Sequence, residues 1–232
     1  MNRGAAVVFG RSRKTEEPPV EPVAWANVRT FVVGSEEKPV TVKRKRGVRG
    51  PRAIRVPQGG KDFRVNAPCA YLAPASRPAP GLALYEDPEA RHLLCYVDDA
   101  QEVNGERHHV VRDARGGALG TLRRIPPRRP FRHTWRIDQP GHPEIVGRNE
   151  WAAGDSAKEA VGRVAVKAAI GLVGALADFG AEGGDQPSKP RTLEWTADGE
   201  VVMVSEGSAE VTVKADWMDR RLAFAFALVG DR

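Results

Sequence analysis

DRRLAFAFALVGDR, residues 219–232, decides how this chain folds. Nine uncharged, mostly apolar residues, Leu222 to Gly230, stand between Arg220-Arg221 and Asp231-Arg232. Exposed apolar surface costs roughly 25 cal/mol per Å², so the run belongs in a core. It is too short for a bilayer, which needs about 20 apolar residues. Leu222, Phe224, Phe226 and Leu228 alternate with Ala, which is a strand pattern. Ala and Leu are also strong helix formers, and a helix apolar on every side belongs inside a core. Period alone leaves both readings open.

Upstream, HLLCYVDD (92–99), HHVVRD (108–113), GALGTLRRI (117–125), FRHTWRID (131–138) and PEIVGR (143–148) are strand-length runs between turn residues. RTLEW (191–195), EVVMV (200–204) and AEVTV (209–213) continue the series. Asn104-Gly105, Arg115-Gly116-Gly117 and Asp198-Gly199 are hairpin signals. Such spacing predicts an antiparallel barrel or sandwich. One long helix is expected over 156–179, capped by Asp155 or Ser156 and ended by Gly180. It reads either as a core or groove-packed helix or as an interfacial one with Lys158, Arg163 and Lys167 at headgroup level.

The first third reads differently. Residues 1–66 hold 15 Lys+Arg against 6 Asp+Glu, a net of +9, while residues 67–232 hold 21 against 24, a net of −3. Such asymmetry suggests a polyanion-seeking arm. Residues 1–24 are Pro-rich without sustained period and read as disordered. VRTFVV (28–33) and PVTV (39–42) are short strand candidates. Lys43, Arg44, Lys45, Arg46, Arg49, Arg52 and Arg55 then fall within thirteen positions without an acid, which reads as a loop or arm. Four prolines in NAPCAYLAPASRPAPG (66–81) read as a linker. The expected division is a basic, largely flexible extension over 1–80 and a barrel domain over 81–232.

Three segments carry a resemblance to a known family: VVRDARGGALGTLRR (110–124), FRHTWRIDQPGHPEIVGR (131–148) and DRRLAFAFALVGDR (219–232). The chain from about residue 82 resembles the tubby C-terminal-like superfamily, which includes tubby proteins, phospholipid scramblases and LURF-one-related proteins. The resemblance implies a mainly β (α+β) fold, a closed antiparallel barrel around a hydrophobic C-terminal helix with Leu222, Phe224, Phe226 and Leu228 as its core face. The family barrel has twelve strands, and eight or nine are legible after Leu82. Residues 28–56 either supply missing strands or remain in the extension. The helix over 156–179 looks like an insertion, and no acidic calcium loop of the scramblase kind is present.

Arg123, Arg124, Arg128, Arg129, Arg132 and Arg136 form a second basic cluster without an acid. Guanidinium forks bind phosphate bidentately, and the resemblance implies phosphoinositide-type headgroups as the ligand. A solvated hairpin is the competing reading. The arm at 43–55 suits nucleic acid by counterion release or acidic phospholipid equally, but lacks aromatics for base stacking. Catalysis has little support. His108 and His109 face opposite sides of a strand, Asp98, Asp99 and Asp113 sit in turns, and Cys69 and Cys95 lack metal-ligand spacing with His92, His133 or His142. The reading is a non-enzymatic membrane-surface or headgroup binder with no cofactor or metal, cytoplasmic and peripheral to the membrane. Its alternatives are a nucleic-acid partner at 43–55 or a protein partner at helix 156–179.

Overall fold

The computed structural model describes residues 20–72, 82–126, 134–149, 192–207 and 210–230. Thirteen strands follow a 3-10 turn at Trp25–Asn27: β1 (Thr30–Lys38), β2 (Val48–Gln58), β3 (Val65–Leu72), β4 (Leu82–Tyr85), β5 (Leu93–Val97), β6 (Gln101–Val103) and β7 (Glu106–Asp113). Then come β8 (Ala118–Ile125), β9 (Thr134–Asp138), β10 (Ile145–Asn149), β11 (Thr192–Ala197), β12 (Glu200–Glu206) and β13 (Glu210–Val213). A single helix, α1 (Arg220–Val229), ends the described chain.

Every pairing is antiparallel. Sheet order runs β5-β4-β3-β2-β1-β13-β12-β11-β10-β9-β8-β7-β6, and β5 also pairs β7. Twelve strands thereby close into a barrel, with β6 a flap hydrogen-bonded to β7 alone. Phe31↔Val211 joins the first strand to the last, and Val97↔Val111 makes the other closure.

An eight-stranded barrel is just filled by its own side chains, and the interior widens with strand number. Twelve strands leave room for a helix about 10–12 Å across. α1 takes that place. Leu222 through Leu228 are all at most 3% exposed, so residues on every side of the helix are enclosed. Phe226 lies edge-on to Trp195 at 4.6 Å and to Trp135 at 5.5 Å, and Phe224 lies edge-on to Phe31 at 4.8 Å. Helix wins over strand because its start is capped and its surroundings are apolar on every side. The Asp219 side chain accepts from Arg221 N at 2.9 Å as N-cap, and an all-round apolar helix matches an all-round apolar lumen. Two glycines make room. A Cβ on Gly120 would lie 2.4 Å from the Asp138 carbonyl oxygen and 3.0 Å from Leu222, and one on Gly147 would lie 2.9 Å from the Trp195 ring.

The barrel begins at Thr30, so the division expected at residue 81 does not separate barrel from arm. Segment 28–56 supplies β1 and most of β2, and part of the expected linker is β3. The prolines mislead because they sit where pairing shifts. Pro51 falls in the β1–β2 irregularity between Gly34 and Glu36, and Pro68 beside the β2–β3 shift at Ile54/Arg55. Bulges tolerate a residue without an N–H. PVTV (39–42) lies outside any strand; Thr41 Oγ1 there accepts from Arg44 N, making a turn. The helix expected over 156–179 lies outside the described residues. Among the described residues no helix is long and apolar enough to cross a membrane.

Truncating Phe226→Ala removes the contact to both tryptophans and is expected to cost about 3–5 kcal/mol. Chemical denaturation measures it. A loss below about 1 kcal/mol would mean that α1 does not fill the lumen.

Candidate functional site

The two basic clusters meet different fates. On β8 and β9, Arg123 and Arg136 are cross-strand neighbours on the outer face. Arg123 pairs with Asp138 at 2.6 Å, with Glu106 at 3.2 Å and with Glu144, and Arg136 pairs with Glu144 at 3.0 Å. Three carboxylates drawn from β7, β9 and the β9–β10 turn thus surround two guanidiniums. Arg123 and Arg136, expected to receive phosphate, thus face carboxylates of the barrel's own outer wall. Arg124 sits opposite Trp135 in register, 5.8 Å from its ring centroid, on the lumen side. His109 stacks on the same ring at 6.4 Å. Burial, then the nearby Arg107 and Arg124 charges, push the His109 imidazole below its ordinary value. Arg128, Arg129 and Arg132 lie outside the described residues.

In the arm, Arg55 is likewise engaged. It is fully buried, and its guanidinium donates to the carbonyls of Gly34 (3.0 Å), Asn66 (3.1 Å) and Pro51 (2.5 Å) and pairs with Glu37 at 3.3 Å. Guanidinium suits this because its donors form a rigid fork. Arg44 donates to Pro39 O at 3.2 Å and Arg64 O at 2.9 Å. Arg55 thus braces β1, β2 and β3 against one another, while Arg44 ties the 39–47 loop to the β2–β3 turn.

The remaining cations are displayed. Lys43, Lys45, Arg46, Arg49 and Arg52 are exposed. Thr41 Oγ1 donates to Asp62 O at 2.9 Å, Lys43 Nζ lies 4.6 Å over the Phe63 ring, and Lys43 pairs with Asp62 at 3.4 Å. Loop 39–47 and the β2–β3 turn therefore form one folded tip. Large apolar side chains stand out of it: Val42 is 78% exposed, Phe63 63%, Val40 62% and Val48 40%. The sequence reading took PVTV as a strand and missed Phe63 and Lys61. Its one available signal was the absence of any acid from Pro39 to Gln58.

Next to the tip lies a cleft of about 910 Å³ whose wall includes Val40, Lys61, Arg64, Asn66, Glu206 and Glu210. Burial first, then the Glu206 charge, raise the Glu210 carboxyl above its ordinary value, and Arg64 works against them.

No family model, curated protein or solved structure matches the chain. The barrel itself is what the family resemblance has in common with the structure.

Other polar groups have structural partners. Asp113 accepts from Arg115 N and Gly117 N, both at 2.8 Å, which holds its carboxyl below the usual range. Asp98 accepts from Arg112 Nε at 2.7 Å, and His142 stacks on Trp217 at 4.6 Å. Cys69 and Cys95 are free buried thiols, pushed by burial to about 12, which keeps them protonated and unreactive at neutral pH.

Arg55→Ala strands its acceptors and Glu37 in the wall and is expected to cost about 3–5 kcal/mol. Arg49→Ala and Arg52→Ala, at exposed positions, are expected to stay within about 0.5 kcal/mol of wild type. Urea unfolding of the three variants compares them, and equal losses would contradict the division into wall and display arginines.

Proposed function

We propose that this protein is a non-enzymatic barrel of the tubby-like kind that docks peripherally on an anionic membrane surface through the 39–63 tip. The observation that carries the reading is the mixture at that tip. Val40, Val42 and Phe63 project beside Lys43, Lys45, Arg46, Arg49 and Lys61. Each basic residue near an anionic bilayer contributes about 1 kcal/mol. Cations alone give attraction that salt screens within roughly 8–10 Å. Apolar side chains entering the headgroup layer supply the second of the two signals that stable attachment needs. The Arg44 bonds to Pro39 and Arg64 hold the tip together above strands that Arg55 braces, so little ordering entropy opposes docking.

A nucleic-acid partner would use the same cations but gives the aliphatic Val40 and Val42 no role, since base contacts at such surfaces come from aromatic stacking and polar edges. An adaptor role for 156–179 falls outside the described residues and has no observation in its favour.

Cosedimentation tests the proposal. The protein is expected to pellet with phosphatidylserine-containing vesicles and not with neutral phosphatidylcholine, and duplex DNA is expected not to compete it off. Lys45→Ala, Arg46→Ala and Arg49→Ala together remove about 3 kcal/mol, roughly 100-fold in affinity. Val42→Asp with Phe63→Ser weakens pelleting even at low salt, where screening is weak. Pelleting unaffected by both variants, or lost to duplex DNA, would refute the membrane reading.

A further inference from the structure

The cleft beside the tip has an internal charge problem. Its back wall is a lateral row on the outer face of four adjacent strands: Glu206↔Glu210, Glu210↔Val32 and Val32↔Arg55 are successive register partners on β12, β13, β1 and β2. Directly opposed side chains on neighbouring strands hold their Cβ atoms about 4.5–5.5 Å apart, and like charges so placed repel. Neither Glu206 nor Glu210 has an ion-pair partner among the described residues. Arg55, at the end of the row, has already directed its donors to three carbonyls and Glu37.

A further acceptor belongs to the same wall. Asn66 is 7% exposed and lines the cleft, and its Nδ2 donates to Glu36 O at 3.0 Å. That bond fixes which end of the amide is oxygen, and Oδ1 has no hydrogen-bond partner. The Glu206–Glu210 pair asks for a donor that carries positive charge, and the sealed Asn66 Oδ1 leaves the same wall short of donors. Two half-buried carboxylates fall short of a metal set, and among the described residues no group of three or more His, Cys, Asp or Glu could hold a metal ion. Val32, Pro39, Val40 and Pro57 make much of the remaining lining apolar, which favours an organic cation. Lys61 and Arg64 supply the opposite sign in the same cleft. The volume lies within the range of small-molecule sites.

We propose that this cleft binds an organic zwitterion, its primary ammonium group received by Glu206 and Glu210 and its anionic group by Lys61 and Arg64. Two sources offer this chemistry: the headgroup of an aminophospholipid in the surface beneath the tip, or a free zwitterion such as phosphoethanolamine. The lipid source rests on the membrane reading, because Val40 and Lys61 belong to tip and cleft alike. It also resolves a conflict within that reading. Two carboxylates beside a basic tip are repelled by an anionic surface unless an ammonium group meets them.

The test uses the full-length protein and the variant Glu206→Gln with Glu210→Gln, which keeps shape and removes both charges. Calorimetric titration with phosphoethanolamine is compared with phosphocholine, whose quaternary nitrogen has no N–H to donate. Wild type is expected to favour phosphoethanolamine at least tenfold, and the double variant to lose that preference with an undiminished melting temperature, since a like-charge repulsion has gone. In a second arm, phosphatidylethanolamine replaces phosphatidylcholine in vesicles of constant phosphatidylserine content. Wild type alone is expected to bind more tightly. Binding of free phosphoethanolamine without vesicle pelleting would keep the cleft site and defeat the membrane reading. Anionic-vesicle binding with no amine preference in either arm would keep the membrane reading and overturn the site. An amine preference that survives in the double variant would also overturn it.

Discussion

Phe226, edge-on to Trp195 and Trp135 in the lumen of a twelve-stranded barrel, is the contact around which the chain is arranged. A barrel this wide cannot be filled by wall side chains alone, so its stability depends on an object that enters from the end of the sequence. The wall is shaped for it. Gly120 gives way to Leu222, and the ring of Trp195 covers Gly147. The entry is fixed by polar contacts at the helix start, where Asp219 caps α1, the Gln139 side chain bridges Trp217 O and Asp219 N, and Arg220 donates to Met218 O at 2.6 Å. Because β1 pairs β13, the first strands and the last helix complete one another across almost the whole chain.

Arginine serves two ends in this protein, and the difference lies in what surrounds each one. Arg55 is consumed by backbone carbonyls, and Arg123 by Glu106, Asp138 and Glu144. Lys45, Arg46, Arg49 and Arg52 have solvent in front of them and exposed valines and Phe63 nearby. Function on this reading comes from the pairing of displayed charge with displayed apolar surface. The Glu206–Glu210 pair adds the opposite charge within the neighbouring cleft.

Sequence patterning announced β5 and β7 to β13 because alternation and turn chemistry agree there. Asn104-Gly105 and Asp198-Gly199 adopt the positive φ that such pairs favour, 52° and 77° in one turn and 49° and 84° in the other. β2 and β3 were illegible for the opposite reason. Pro51 and Pro68 lie at pairing irregularities, and the outward-facing cations of β2 hide the inward Ile54. The acidic partners of Arg123 come from 15 to 21 residues away in sequence, so a linear scan sees only an arginine cluster. The apolar tip was hidden because Val40 and Val42 read as a strand, whereas Thr41 turns the chain there. The cleft carboxylates become neighbours only through the β12–β13 register.

The central claim is that N-terminal strands, C-terminal strands and the enclosed helix are one cooperative unit. Native-state amide hydrogen exchange under EX2 conditions tests it most directly, since it reports the opening free energy of each segment. Amides of residues 222–228 and of the paired positions in β1, β2 and β13 are predicted to exchange with one shared free energy, equal to that of global unfolding. Early exchange of residues 30–58, while 222–228 stay protected, would show a barrel that holds without its first strands and would contradict the account.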